Sequence, residues 1–240
     1  VLSEAAADVR VSGVETVIGS STTGDVARML SEGALALSAV ETVVGTSGTD
    51  TVTMLAAGTL AASEVETLLG SAAAETVTLL GSSADVAVSQ INTVIGTTGS
   101  DSVSMLGADT TAVSNVETVL GTTDGAEVVR LVGACIVGVS NVDTVLGGSG
   151  SDALRMLGAG DVSASSVETA IGSAGTDTLT LVGAGTVSVS AIESIVGSTT
   201  SVEVVRLIQP GFTFSVSSID TVIGTESNLD RIALLGATDV

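Results

Sequence analysis

The chain has 240 residues, six arginines, no lysine, no histidine and 27 acidic residues, for a formal charge of −21. Hydrophobic residues reach 45% and mean hydropathy is +0.65, which excludes an unfolded polar chain. Without His or Lys, a Ser–His nucleophile, a His-bound zinc and a Schiff-base lysine are excluded. Six arginines in so negative a field exclude nucleic acid as a partner. The chain is therefore read as no enzyme.

One cysteine, Cys135, allows no internal disulfide and is expected to pack as a small apolar side chain. No apolar run approaches the roughly 18 residues of a bilayer span, so no membrane span is expected. The sequence starts at Val1 without a basic, then apolar, leader. We expect a processed molecule or a section of a longer one.

One phrase recurs along the chain: Val-Glu-Thr, two apolar residues, then Gly. It starts at Val14, Val40, Val65, Ile91, Val116, Val142, Val167, Ile192 and Ile219, at intervals of 25 to 27 residues. Each repeat divides into three apolar pieces. In the seventh these are Val167–Ile171, Thr178–Val182 and Thr186–Ser190, separated by Gly172, Gly175, Gly183 and Gly185. Short runs of Val, Leu, Ile and Thr with period-2 alternation, bounded by Gly and Ser, predict strands. A helical array is the rival, and Val187-Ser188-Val189-Ser190 argues against it.

The predicted fold is all-β: a parallel β-solenoid with three short strands per 25–27-residue coil, nine to ten coils, wound right-handed by the crossover rule. Equivalent positions would then stack as columns, such as Val17, Val43 and Leu68, or Met29, Met54 and Leu79. A spacing of about 4.8 Å per coil predicts a rod on the order of 45 Å. Residues 1–240 are read as one solenoid domain without caps, since Asp8–Ser12 already match Thr186–Ser190. An uncapped solenoid predicts a segment of a longer one, or self-association end to end or laterally.

Two columns carry 17 of the 27 acids. The first follows the Val of the phrase and includes Glu15, Glu41, Glu66, Glu117 and Glu168. The second includes Asp25, Asp50, Glu75, Asp101, Glu127, Asp152, Asp177, Glu203 and Asp230. If stacked, neighbouring carboxylates would repel by roughly 1 kcal/mol each in water. The first column reads as a solvated outer face. The second reads either as turns whose carboxylates take loop N–H groups or as a cation ladder.

The residues before the second column favour the ladder. Gly45 to Thr53, Gly96 to Ser104 and Gly172 to Thr180 follow G-G-x-G-x-D-x-U-x with the second Gly relaxed, and Gly147 to Arg155 follows it fully. These stretches resemble the haemolysin-type calcium-binding (RTX) repeat proteins, secreted bacterial β-rolls. The resemblance implies calcium at Asp50, Asp101, Asp152 and Asp177, with carbonyls near Gly48, Gly99, Gly150 and Gly175, and Asp152 with Asp177 as the first site. The chain departs from that family in its coil length and in carrying one motif per repeat. Repeats one, five and eight have a longer loop, followed by Arg28, Arg130 and Arg206, and Arg155 holds that column in repeat six. These guanidinium groups either neutralise the acids or are ordinary surface arginines.

The expected function is an extracellular or cell-surface structural module of a secreted bacterial protein: a surface layer, filament or adhesin stalk stabilised by calcium. A cell-surface polysaccharide is a candidate ligand. The alternatives are an ice- or mineral-binding Thr array, from pairs such as Thr51/Thr53 and Thr178/Thr180, and a β-helix enzyme on acidic polysaccharide. Pairs such as Leu79-Leu80 leave open which member faces outward.

Overall fold

The computed structural model describes residues 6–20, 24–71, 73–123, 125–227 and 229–235. Among them are 27 strands, all short and all pairing in parallel, and no helix. None of the described residues therefore forms a helix long and apolar enough to cross a membrane. The fold is a parallel β-solenoid, as the alternating pattern predicts. Two compact units, Val1–Thr118 and Val119–Val240, divide the chain.

In the first unit one sheet runs, in order, through Asp8–Val11, Val26–Met29, Thr42–Val44, Gly58–Ser63, Glu75–Leu79, Thr93–Ile95 and Thr110–Ser114. The opposing sheet runs through Thr16–Ile18, Gly33–Ser38, Asp50–Met54, Thr67–Leu69, Asp85–Ser89 and Ser102–Met105. The second unit repeats the pattern. Its first sheet contains Val128–Leu131, Thr144–Leu146, Gly160–Ser165, Asp177–Leu181, Ser194–Val196, Thr213–Ser217 and Arg231–Leu234. Its second contains Thr118–Leu120, whose first residue belongs to the first unit, then Ile136–Ser140, Ala153–Met156, Thr169–Ile171, Gly185–Ser190, Glu203–Leu207 and Thr221–Ile223.

This topology corrects the expected coil. Consecutive strands alternate between the two sheets, so a turn holds two strands, not three, and there are about 13 turns of roughly 17 residues rather than nine to ten of 25 to 27. A three-strand repeat wound on a two-strand turn takes one and a half turns. Equivalent strands of successive repeats therefore fall on opposite sheets, and the expected columns do not form. Val17 lies in one sheet and Val43 in the other, where Val43 sits between Ala27 and Ala62. Within a sheet the neighbours cycle through the third, second and first strands of the repeat.

The core nevertheless follows from alternation, since in nearly all strands every second side chain points inward. In Asp50–Met54 the buried positions are Asp50, Val52 and Met54, and Val52 pairs with Leu35 and Leu68. Aliphatic side chains fill the narrow interior, and Cys135 and Phe214 are buried with them. Phe212 stacks on Phe214, with ring centroids 6.2 Å apart.

The glycine that ends the recurring phrase has a steric cause. The residue before each phrase turns the chain through the left-handed region, for example Glu64 (φ 54°), Asn115 (φ 51°) and Ser166 (φ 55°). Its carbonyl oxygen is pushed against the glycine one turn earlier. A Cβ on Gly45 would lie 1.7 Å from the Glu64 oxygen, and one on Gly96 would lie 1.8 Å from that of Asn115. Only a residue without Cβ lets the turns close to sheet spacing there.

Candidate functional site

The second acidic column occupies the first inward position of the repeat's middle strand, which explains its burial. Asp25, Asp50, Asp177, Glu127 and Glu203 are wholly buried, and Glu75, Asp101 and Asp152 are 1% exposed. Nothing apolar solvates a carboxylate, so partners decide whether it is tolerated. The partners are backbone amides.

Asp50 Oδ1 accepts the Gly33 N–H from the preceding turn (3.0 Å), and Oδ2 accepts the N–H and hydroxyl of Thr46 from its own loop (2.5 and 2.8 Å). Asp101 does the same with Ala84 N (2.7 Å) and Thr97 (2.5 and 2.9 Å). Asp177 accepts from Gly160 N (3.2 Å) and Ser173 (2.6 and 2.9 Å). Asp152 takes Cys135 N (2.9 Å) and Gly148 N (2.8 Å). Each aspartate thus closes its own loop and ties it to the turn before.

The first acidic column completes the lacing, which corrects its reading as a merely solvated face. Glu66 Oε2 accepts the Asp50 N–H (2.7 Å), Glu117 Oε2 that of Asp101 (2.7 Å) and Glu168 Oε2 that of Asp152 (2.7 Å). Asn92 serves Glu75 in the same way (2.9 Å). An amide or a shorter carboxylate suffices because only one acceptor is required. No sequence signal pointed to this role, since it depends on which strand lies one turn later.

Glutamate in the second column behaves differently. Its extra methylene carries the carboxylate past the preceding turn, whose N–H turns to a backbone carbonyl instead: Gly58 N to Ala74 O and Gly185 N to Val202 O, both 3.1 Å. Glu75 Oε2, Glu127 Oε2 and both oxygens of Glu203 are left buried without a hydrogen-bond partner. Where donors are present they favour the ionised form. The Ser20 and Ala7 N–H groups hold Asp25 below the usual carboxylate range, with burial opposing. Thr225, through hydroxyl and N–H, lowers Asp230. At Glu127 burial is the largest influence and pushes upward, but hydrogen bonding, led by the hydroxyl and N–H of Thr122, outweighs it.

The predicted calcium residues are not brought together. Asp152 precedes a strand of one sheet and Asp177 opens a strand of the other, because adjacent repeats differ by one and a half turns. Asp50 and Asp101 share a sheet but stand three turns apart, about 14 Å at sheet spacing. Gly48, Gly99 and Gly175 donate their N–H to Thr46, Thr97 and Ser173, tightening the loops. Gly150 has φ 113°, and a Cβ there would lie 2.9 Å from that of Ala134. Calcium takes six to eight oxygens, whereas these carboxylates face N–H and O–H hydrogens. Among the described residues no three acidic or thiol side chains converge as a ligand group. The Gly-Asp loops do not fit a calcium ladder.

Arg130, Arg155 and Arg206 lie on outward strand positions and are exposed. Among the described residues the one ion pair joins Arg28 to Asp8 (3.0 Å), away from the buried acids. Thr51/Thr53 and Thr76/Thr78 fall on opposite sheets, so the Thr pairs of successive repeats do not form one lattice. In each apolar pair at the end of the middle strand the second member faces outward: Leu30, Leu55, Leu80 and Leu106 in the first unit, Val132, Leu157, Val182 and Ile208 in the second.

Fold and loops together define a class, the acid-laced parallel β-solenoid. No family model, curated protein or solved structure matches the chain.

Proposed function

We propose that the chain is a structural repeat module of an extracellular bacterial assembly, such as a surface layer, filament or adhesin stalk. The observation that carries this reading is the lacing of successive turns through buried carboxylates. In the Asp50 loop, one side chain grips the turn before through Gly33 and its backbone N–H is gripped by Glu66 of the turn after. Load applied along the turns is shared by ladder bonds and by these clamps, which sit inside the fold where water competes least. The high acidity supports an exterior location. The recurring outward aliphatics offer a lateral neighbour a regular surface, and a cell-surface polysaccharide remains a candidate ligand. Both carboxylate oxygens of Asp50, Asp101, Asp152 and Asp177 already accept hydrogen bonds, so the module is proposed to hold its shape without calcium in the Gly-Asp loops. Force spectroscopy on the full chain, pulled from its two ends in calcium-free buffer, tests this. Stepwise unfolding events are expected, and smooth extension at low force refutes the load-bearing role.

A further inference from the structure

We propose that a second copy of this chain docks laterally on the outward face of the second sheet in the second unit, held there by Arg155 and Arg206. The proposal rests on the assembly reading above and names the neighbour. The strands of that sheet, from Ile136–Ser140 to Thr221–Ile223, contain one acid, Glu203, and it points inward. Arg155 and Arg206 are the only charges these strands present outward. Along the ladders Arg155 lies between Gly138 and Ile171, and Arg206 between Ser188 and Ile223. Neither joins an ion pair among the described residues. Ile136, Leu157, Ile208 and Ile223 are exposed around them. Charge complementarity selects an acidic partner for this face, and its aliphatic side chains select a protein surface over a free anion.

Acids that fit belong to the chain itself. Glu15, Glu66 and Glu117 immediately precede Thr16–Ile18, Thr67–Leu69 and Thr118–Leu120, all of the second sheet, so they form a row along one edge of the first unit. Neighbours in the row are 51 residues and three strands apart. Arg155 and Arg206 are also 51 residues and three strands apart, about 14 Å at sheet spacing. One placement of two parallel solenoids therefore brings two successive acids to two arginines. Glu66 and Glu117 spend Oε2 on the Asp50 and Asp101 amides, which orients their side chains and leaves Oε1 to face a guanidinium. At physiological salt, exposed charges more than about 8 Å apart are largely screened, so the paired groups act while distant acids of the two copies do not. The contact is heterologous, a face of one second unit against an edge of another first unit. Each copy keeps its own edge for a third, and association stays open, as a layer or filament requires.

The test is sedimentation of the full chain at physiological salt, with thermal melts as a check on folding. Wild type is expected to grow in average mass with concentration and to pass the mass of a dimer. Arg155→Glu combined with Arg206→Glu should stay monomeric while melting within about 2 °C of wild type, because both side chains are exposed. Arg130→Glu, on the other sheet, should associate as wild type. Immobilised wild type should still capture the double variant, whose acidic edge is intact, whereas the immobilised double variant should not capture itself. A wild type that stays monomeric, a double variant that associates like it or escapes capture by it, or an Arg130→Glu chain that does not associate each overturns the contact. The force experiment reads single chains, so the load-bearing reading stands or falls separately.

Discussion

Asp101→Asn separates amide lacing from a calcium ladder most sharply. The aspartate is 1% exposed and accepts three hydrogen bonds, from Ala84 N, Thr97 N and Thr97 Oγ1. Asparagine keeps one acceptor oxygen. Its amide nitrogen must then face either the Ala84 or the Thr97 N–H, donor against donor. A hydrogen bond to a charged group contributes about 1.5–3 kcal/mol, and a buried donor left without a partner costs about 1–3 kcal/mol. Together the expected loss is about 3–5 kcal/mol. At about 2–4 °C per kcal/mol for a chain of this length, melting should fall by roughly 6–20 °C. The assay is a circular dichroism melt of wild type and variant, each with calcium and with chelator. The variant should be lower in both, and chelation should not bring wild type down to it. A variant melting within about 2 °C of wild type, or a chelated wild type melting like the variant, would refute the reasoning.

Glu75→Asp restores a carboxylate that can reach the Gly58 N–H, as Asp50 reaches that of Gly33, and should add about 1–2 kcal/mol in a denaturant melt. Gly96→Ala drives a Cβ to 1.8 Å from the Asn115 oxygen and should cost about 3–5 kcal/mol, whereas Gly107→Ala meets open space and should be neutral or gain up to about 1 kcal/mol. Arg130→Ala should change stability by less than about 0.5 kcal/mol, because the side chain is exposed and no ion pair holds it; a larger loss would revive charge neutralisation by arginine. Asp25, Glu127 and Asp230 are held below their ordinary values of 3.8, 4.5 and 3.8. Their contribution is therefore complete above those values and lost as pH falls through the lower folded ones. Melting temperature should be flat from pH 7 to about 5 and drop below about 4, and a rise on acidification would contradict the assignment.

The strands, the all-β class and the buried positions were legible because alternation needs only local sequence. Val52 and Met54 read as inward from their own strand. The coil did not, because nothing local says how many strands complete a turn. A signal was present: three of the four Gly-Asp copies begin at Gly45, Gly96 and Gly147, 51 residues apart, which is three turns and two repeats. The loop acids were legible as turn formers or cation ligands, and choosing between these required the identity of the turn before. Gly33, Ala84 and Gly160 show no donor role in sequence, since each meets its aspartate only through the register 17 residues on.

The mismatch between repeat and turn also explains how so acidic a chain folds. Had equivalent strands stacked, each aspartate would lie between two others at about 4.8 Å, with like charges above and below and no amide free to serve them. The observed cycle puts three different strand starts on successive turns. Gly33, at the start of a third strand, donates its N–H to Asp50, at the start of a second strand. The N–H of Asp50 goes in turn to Glu66, just ahead of a first strand. Donor, clamp and cap thus alternate: the like charge one turn on, that of Glu66, is itself held by the Asp50 N–H, and the next clamp on that edge, Asp101, lies about 14 Å away. A single-residue change to the repeat length would leave this cycle intact, because the loops absorb it, as the longer loop before Asp25 already does while Ser20 and Ala7 still reach the carboxylate. Removing one strand from a repeat would instead exchange the faces of everything after it and set clamps against caps. We therefore expect loop insertions to be tolerated and strand deletions to abolish folding of the unit that contains them, as proteolysis of the two variants would reveal.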